Sequence, residues 1–250
     1  MPDWSKRTFL KSAAAAAATL PLVTGAEAKP RADLPKRWNR AADVVVLGYG
    51  GAGACAAITA KDAGADVVIF EKCSEGGGNT AVSSGGMMIP NNRDRAYTYL
   101  AKTYAFANSV MDEELLSAFV DEAMKSKDFL MSLAPDQKLY IYGHAGFQNI
   151  PESDAIDKWR FRTPKGQKTR GGDMLFNNYR YAVETVRKIP VVYNARALEL
   201  ITENDEVLGV WVEINGKKVA VKARRGVVLA TGGFEFDDKM LANHTMGHKY

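Results

Sequence analysis

From Asp43 to Lys72 the chain reads DVVVLGYGGAGACAAITAKDAGADVVIFEK, and no other stretch restricts the fold as strongly. Asp43 to Leu47 is apolar and β-rich without alternation, the pattern of a strand buried on both faces. Gly51 to Ala63 is alanine-rich and helical, and Asp66 to Phe70 is a second strand of the buried kind. Strand, tight turn, helix and strand in that span predict a parallel βαβ crossover. Between the first strand and the helix, Gly48-Tyr49-Gly50-Gly51-Ala52-Gly53 fits G-x-G-x-x-G. In this pattern the first glycine permits the turn, the second lets a pyrophosphate approach the main chain, and the third lets helix and strand pack closely. The helix N-terminus then faces the phosphate charge. Glu71, at the end of the second strand, is the acid placed to accept hydrogen bonds from a ribose hydroxyl. NAD and FAD both satisfy this constellation.

The residues after Lys72 separate the two cofactors. A nicotinamide domain normally continues into its next helix, whereas here Lys72-Cys73-Ser74-Glu75 leads into a second glycine-rich loop, GGGNTAVSSGG, from Gly76 to Gly86. Its Asn, Thr and Ser side chains can hydrogen-bond while its glycines leave the main chain bare, as if the backbone ran beside a longer flat ligand.

Farther along, residues 95–133 carry apolar positions at helical spacing and predict two helices parted near Asn108-Ser109. Gly171 to Lys188 predicts another helix. The period then shortens to that of strands. ALELITENDEVLGVWVEINGKKVAVKARRG predicts a three-stranded meander, with a turn at Glu203–Glu206 and an Asn215-Gly216 hairpin. Gly226 to Ala230 predicts a further buried strand, ending on Thr231-Gly232-Gly233.

The glycine fingerprint, EK followed by GGNT and SGG, the GGDMLF segment at Gly171–Phe176, the meander and RRGVVLATGGFEFDDKM at Arg224–Met240 together resemble the FAD-binding domain of the fumarate reductase and 3-oxosteroid 1-dehydrogenase flavoprotein superfamily. The resemblance covers essentially all of residues 43–250. It implies an α/β, Rossmann-like FAD-binding domain with a parallel sheet and a β-meander. It places the pyrophosphate on Gly48, Gly50, Gly51, Ala52, Gly53 and Ala54, and the adenosine ribose on Glu71 with Lys72 beside it. Gly78, Asn79, Thr80, Ser84, Gly85 and Gly86 would follow the ribityl chain and flavin ring. Ala197 would turn its main chain toward the adenine, and Thr231, Gly232 and Gly233 would close over the cofactor. Members with covalent flavin often use a histidine in the stretch matching residues 77–86; this chain has none there, so FAD is expected to bind non-covalently.

The same resemblance implies a hydride moving between flavin N5 and a carbon next to a carbonyl or carboxylate of a small-molecule substrate. SGGMMIPNN at Ser84–Asn92 looks more like the ketosteroid branch, in which a tyrosine from the first part of the chain lines the active site. Tyr142 in YIYGHAG is the nearest candidate. His144 is the other titratable group of that segment, read as a loop, suited to proton transfer near neutral pH. In the resembling family a cap domain and a returning C-terminal segment follow the GGF motif, so a C-terminal half or an electron-transfer partner is expected to complete catalysis. A non-catalytic flavin module and an NAD-linked enzyme are the competing readings.

Charge and composition narrow the field further. The chain carries a formal +4, but Lys29, Arg31, Lys36, Arg37 and Arg40 against Asp33 by themselves amount to +4. The body after Arg40 is close to neutral, which excludes a nucleic-acid reading. Residues 1–28 have a basic start (SKRTFLK), an apolar alanine-rich stretch and the small-residue pattern Ala26-Glu27-Ala28. They predict an export signal cleaved after Ala28, twin-arginine-like with Lys6 for the first arginine, the alternatives being an ordinary secretory signal or a frayed basic amphipathic arm. The apolar stretch is too short for a stable membrane anchor. Residues 29–42 read as a linker. Cys55 and Cys73 fit no metal or redox spacing and are expected to be buried thiols. His244 and His248 are four apart but lack a third ligand nearby, so no metal is expected.

Overall fold

The computed structural model describes residues 34–107, 109–133, 136–162, 171–235 and 237–244. Residues 1–28, read above as an export signal, and His248 lie outside them.

Strand β1 (Arg40–Leu47) is the axis of the molecule. It pairs in parallel with β2 (Val67–Phe70) on one side and with β9 (Lys217–Leu229) on the other. The six-stranded sheet runs β6-β2-β1-β9-β8-β7, where β6 is Val191–Val192, β7 Ala195–Glu203 and β8 Glu206–Ile214. The unalternating apolar runs behave as their pattern predicts. Val46, Val67 and Ile69 face a core made with helix α1 (Gly51–Asp62), while Val45, Leu47, Val68 and Phe70 face the opposite core, which the meander supplies. Alanines at 54 and 57 let α1 lie close to the sheet, and both are fully buried.

The meander is not followed by a separate buried strand. Its third strand continues without a break as β9, whose first half pairs with β8 and whose last four residues, Gly226–Leu229, pair with β1. These four are only partly covered, and Leu229 is 63% exposed. The expected linker also ends early. Asn39 exchanges hydrogen bonds with Ala220, and Arg40–Ala42 already belong to β1, because the extended chain finds a free edge against β9.

The helical region divides into three, not two: α3 (Arg93–Phe106), α4 (Glu113–Met124) and α5 (Ser126–Leu133). Asn92 and Asp112 cap the first two through the amides of Arg95 and Leu115. The break at Lys125 uses neither proline nor glycine, so nothing in composition marks it. Short helix α2 (Gly78–Val82) lies in the second glycine loop. Helix α6 (Gly171–Arg180) runs on into a π-helical segment, Tyr181–Val186. Helix α7 spans Asp238–His244. A second, three-stranded antiparallel sheet, β3-β5-β4, is built from Met87–Pro90, Ile156–Phe161 and Leu139–His144. No helix among the described residues is long and apolar enough to cross a membrane.

Candidate dinucleotide site

The chain leaves β1 toward β2 on one side and reaches β9 on the other, which makes the carboxyl ends of β1 and β9 a topological switch point. Open α/β sheets bind their ligands in the crevice at such a point. Gly48 turns the chain there at φ +100°, and the Ala230 carbonyl fills the space a β-carbon would need, so a side chain fails on both conformation and space. A β-carbon on Gly53 would be driven into the Gly48 carbonyl oxygen, which is how the third glycine lets α1 approach the strand. At Gly50 and Gly78 the space where a side chain would stand holds only ordinary contacts, so that surface is bare backbone.

The two glycine loops are tied to each other. Gly77 N–H donates to the Tyr49 carbonyl at 2.7 Å, and Gly50 forms an isolated parallel bridge with Gly77. Thr80 Oγ1 accepts from the Gly51 amide at 3.0 Å, the first amide of α1. Beneath this junction Tyr49 is fully buried and meets Phe176 edge-on at 5.2 Å. Burial pushes its hydroxyl far above the usual phenol range, so it stays protonated.

Glu71 is 9% exposed, and both carboxylate oxygens are engaged: Oε2 accepts from Tyr49 N–H at 2.8 Å and Oε1 from Cys73 N–H at 2.9 Å. It therefore organises the turn, and each oxygen keeps a lone pair for a further donor. Lys72 beside it is exposed. Glu71 also receives, at its carbonyl, the Ala195 amide (2.8 Å), which starts β7; Ala197 lies two residues on, half-buried.

Asn79 turns across the crevice and donates to Glu235, a residue that sequence reasoning did not single out. Glu235 sits beside Gly233, and its own backbone amide and Asn79 hold its carboxyl below the ordinary range. Thr231 and Gly232 are exposed on the same rim, Gly232 at φ +79°. On the other rim Ser83 Oγ accepts from Gly85 N–H, and the exposed Ser84 turns its carbonyl onto Gly171. The glycine pair Gly171-Gly172 lets α6 pass directly under this loop, with Gly172 N–H donating to the Ser83 carbonyl at 3.2 Å.

Tyr142 and His144 stand on strand β4, not in a loop. The register of β4 against β5 shifts between Ile141 and Gly143, so Tyr142 is the extra residue of a β-bulge. Its hydroxyl rests over Gly86, and it is 42% exposed, which rules out a role in core packing. His144 goes elsewhere: its Nδ1 is 3.0 Å from Oδ1 of the buried Asp157, which also accepts from Asn91. It lines a separate cavity of about 310 Å³ with Gly146, Gln148, Ser153 and Asp154.

Cys55 is half-buried and donates toward Tyr179, with burial pushing its thiol upward, but Cys73 is exposed because its backbone, not its side chain, is used to close the Glu71 turn. Among the described residues no cluster of three ligating side chains could hold a metal; His244 instead meets Phe234 at 5.8 Å between ring centres.

The profile of the FAD binding domain family matches residues 43–249. The chain belongs to that family. FAD is accordingly its cofactor, and the bare backbone at Gly50 and Gly78, the α1 N-terminus and the buried carboxylate of Glu71 fit such a ligand. The chain is 30% identical over 210 residues to the NADH:fumarate oxidoreductase of Klebsiella pneumoniae, covering 81% of this chain and 21% of that protein. It is 28% identical over 249 residues to the acrylate reductase flavoprotein subunit of Shewanella woodyi, covering 92% and 46%. The 3-ketosteroid-Δ4-(5α)-dehydrogenase of Rhodococcus jostii, solved with 4-androstene-3,17-dione, superposes with a TM-score of 0.74 at 29% identity, covering 87% of this chain and 51% of that one. The chain thus spans about half the length, or less, of the relatives it matches. By name these relatives are oxidoreductases, one of them a flavoprotein subunit, and a flavin oxidoreductase is the class this domain fits.

Proposed function

We propose that this chain forms the flavin-holding part of an exported oxidoreductase that moves a hydride between flavin N5 and a substrate carbon adjacent to a carbonyl or carboxylate. The observation that supports it most is the switch-point crevice, where two glycine loops are locked by Gly77–Tyr49 and Thr80–Gly51 and expose backbone in place of side chains. Gly48 to Ala54 and the α1 N-terminus would hold the pyrophosphate, Glu71 the ribose and Ala197 the adenine. Asn79, Thr80, Ser84, Gly85 and Gly86 would follow the ribityl chain and ring, with Thr231 to Gly233 over them. FAD, held non-covalently, supplies the hydride chemistry when bound; the chain supplies placement, and Tyr142 is the side chain best set to meet a substrate beside Gly86. An electron donor or acceptor and the proton-transfer group belong to a partner or to a further segment.

Purified chain titrated with FAD tests this reading. Saturable binding, a yellow absorption band, and flavin released by acid precipitation would support it; retention of NAD in place of flavin would overturn it. Export is tested separately: the mature protein recovered from the cell envelope should begin at Lys29, and unchanged export when Lys6 and Arg7 are both replaced by Gln would remove the twin-arginine route.

A further inference from the structure

One face of the β3-β5-β4 sheet carries side chains that the dinucleotide crevice does not use. Lys158 and Arg160 alternate along β5, and Arg162 continues the row just past its end. Their neighbours on β4 are Tyr140 and Tyr142, whose rings are 6.4 Å apart. The guanidinium of Arg160 lies 4.5 Å from the centre of the Tyr142 ring, and that of Arg162 lies 4.9 Å from the centre of Tyr140.

Arg160 differs from Arg162 in its surroundings. Its Nε is sealed from solvent and has no acceptor, beside the point where the backbones of Ser84–Gly85 and Gly171 cross. Among the described residues no carboxylate pairs with it. The ring that carries it, Tyr142, ends with its hydroxyl against Gly86. With one face on an aromatic ring and Nε sealed, the guanidinium keeps its terminal Nη donors, and that edge matches a carboxylate in fork geometry. Leaving such a group desolvated and unpaired is costly, and a neutral apolar ligand laid over it would make the cost larger.

We propose that Arg160 is an anion-recognising residue of the substrate site, held in place by Tyr142, and that the substrate carries a carboxylate. The inference rests on the proposed placement of Gly85 and Gly86 along the flavin ring. It selects unsaturated carboxylates over neutral ketosteroids, against the expectation drawn from the Ser84–Asn92 segment.

Isothermal calorimetry on the FAD-loaded full chain tests it, with fumarate as the anionic probe and cyclohex-2-enone as the neutral one. Fumarate should bind the more tightly. Arg160→Gln should weaken fumarate binding about tenfold to a hundredfold, the value of one charge-assisted pair, and leave the enone where it was. Arg160→Lys, which keeps the charge and most of the packing but loses the fork, should fall between. Tighter binding of the enone, absence of fumarate binding, or wild-type affinity in Arg160→Gln would overturn the proposal. Failure to load FAD would sink the functional reading instead; the same fumarate titration on flavin-free chain then decides the role of Arg160 by itself.

Discussion

The two sites of this molecule are made of different material. At the β1–β9 crevice the glycines set main chain against main chain: Gly48 on Ala230, Gly53 on Gly48, Gly77 on Tyr49, Gly172 on Ser83. On the small sheet, the contacts are between side chains, with Arg160 stacked on Tyr142 and, apart from them, His144 against Asp157. A backbone-built site tolerates almost no added atom but is indifferent to chemistry, so its substitutions should act through shape. A side-chain site tolerates volume and responds to charge. The first kind fits a ligand whose phosphates and ribose never vary, and the second leaves room for substrate choice.

Substitutions that should break the contrast begin with Gly53→Val. Its β-carbon has no space beside the Gly48 carbonyl, so α1 must move off β1, and we expect a loss of about 3 kcal/mol with no FAD uptake. Denaturant unfolding followed by circular dichroism checks it; a variant as stable as wild type that still turns yellow would show the close packing to be dispensable.

Glu71→Gln comes next. The amide keeps the size but offers one acceptor where two backbone N–H groups need one each, and it removes the charge assistance. A cost of about 1–3 kcal/mol and FAD binding weakened about tenfold to a hundredfold are expected. Equal FAD affinity would remove Glu71 from the site.

Thr80→Val should be milder. It leaves the Gly51 amide without its acceptor while preserving shape, for about 1 kcal/mol, read as a lower melting temperature that bound FAD partly restores.

The smallest effect tests the link between two side chains of the crevice, Asn79 and Glu235. Glu235 has a depressed folded pKa, so its contribution is present above the unfolded pKa and lost as pH falls through the folded one. Its carboxyl is fully exposed, and the change is best read by NMR titration. Asn79→Ala should move the Glu235 midpoint upward, toward the ordinary carboxylate value; an unmoved midpoint would mean that its own backbone amide holds it alone.

The region that was legible in sequence is the one made of backbone. Glycine is the only residue whose placement reports directly on φ and on close approach, so GYGGAG, GGGNT and SGG announced the turn, the crossing and the bare surface by themselves. Unalternating valines likewise announced strands β1 and β2, since burial on both faces leaves no polar side to the pattern. What the sequence could not state was partnership across distance. Asn79 and Glu235 are separated by 156 positions, and the β3-β5-β4 sheet draws its strands from three unconnected places. The bulge that parts Tyr142 from His144 is a matter of register, which depends on what pairs opposite and not on the two residues themselves. The chain alone therefore determined that it would wrap a dinucleotide, because that demand is met by local backbone freedom. Only the tertiary structure decided that, among the described residues, Arg160 stands without a carboxylate beside it, because desolvation and stacking at Arg160 exist only once β4, β5 and the Gly85–Gly171 crossing have come together.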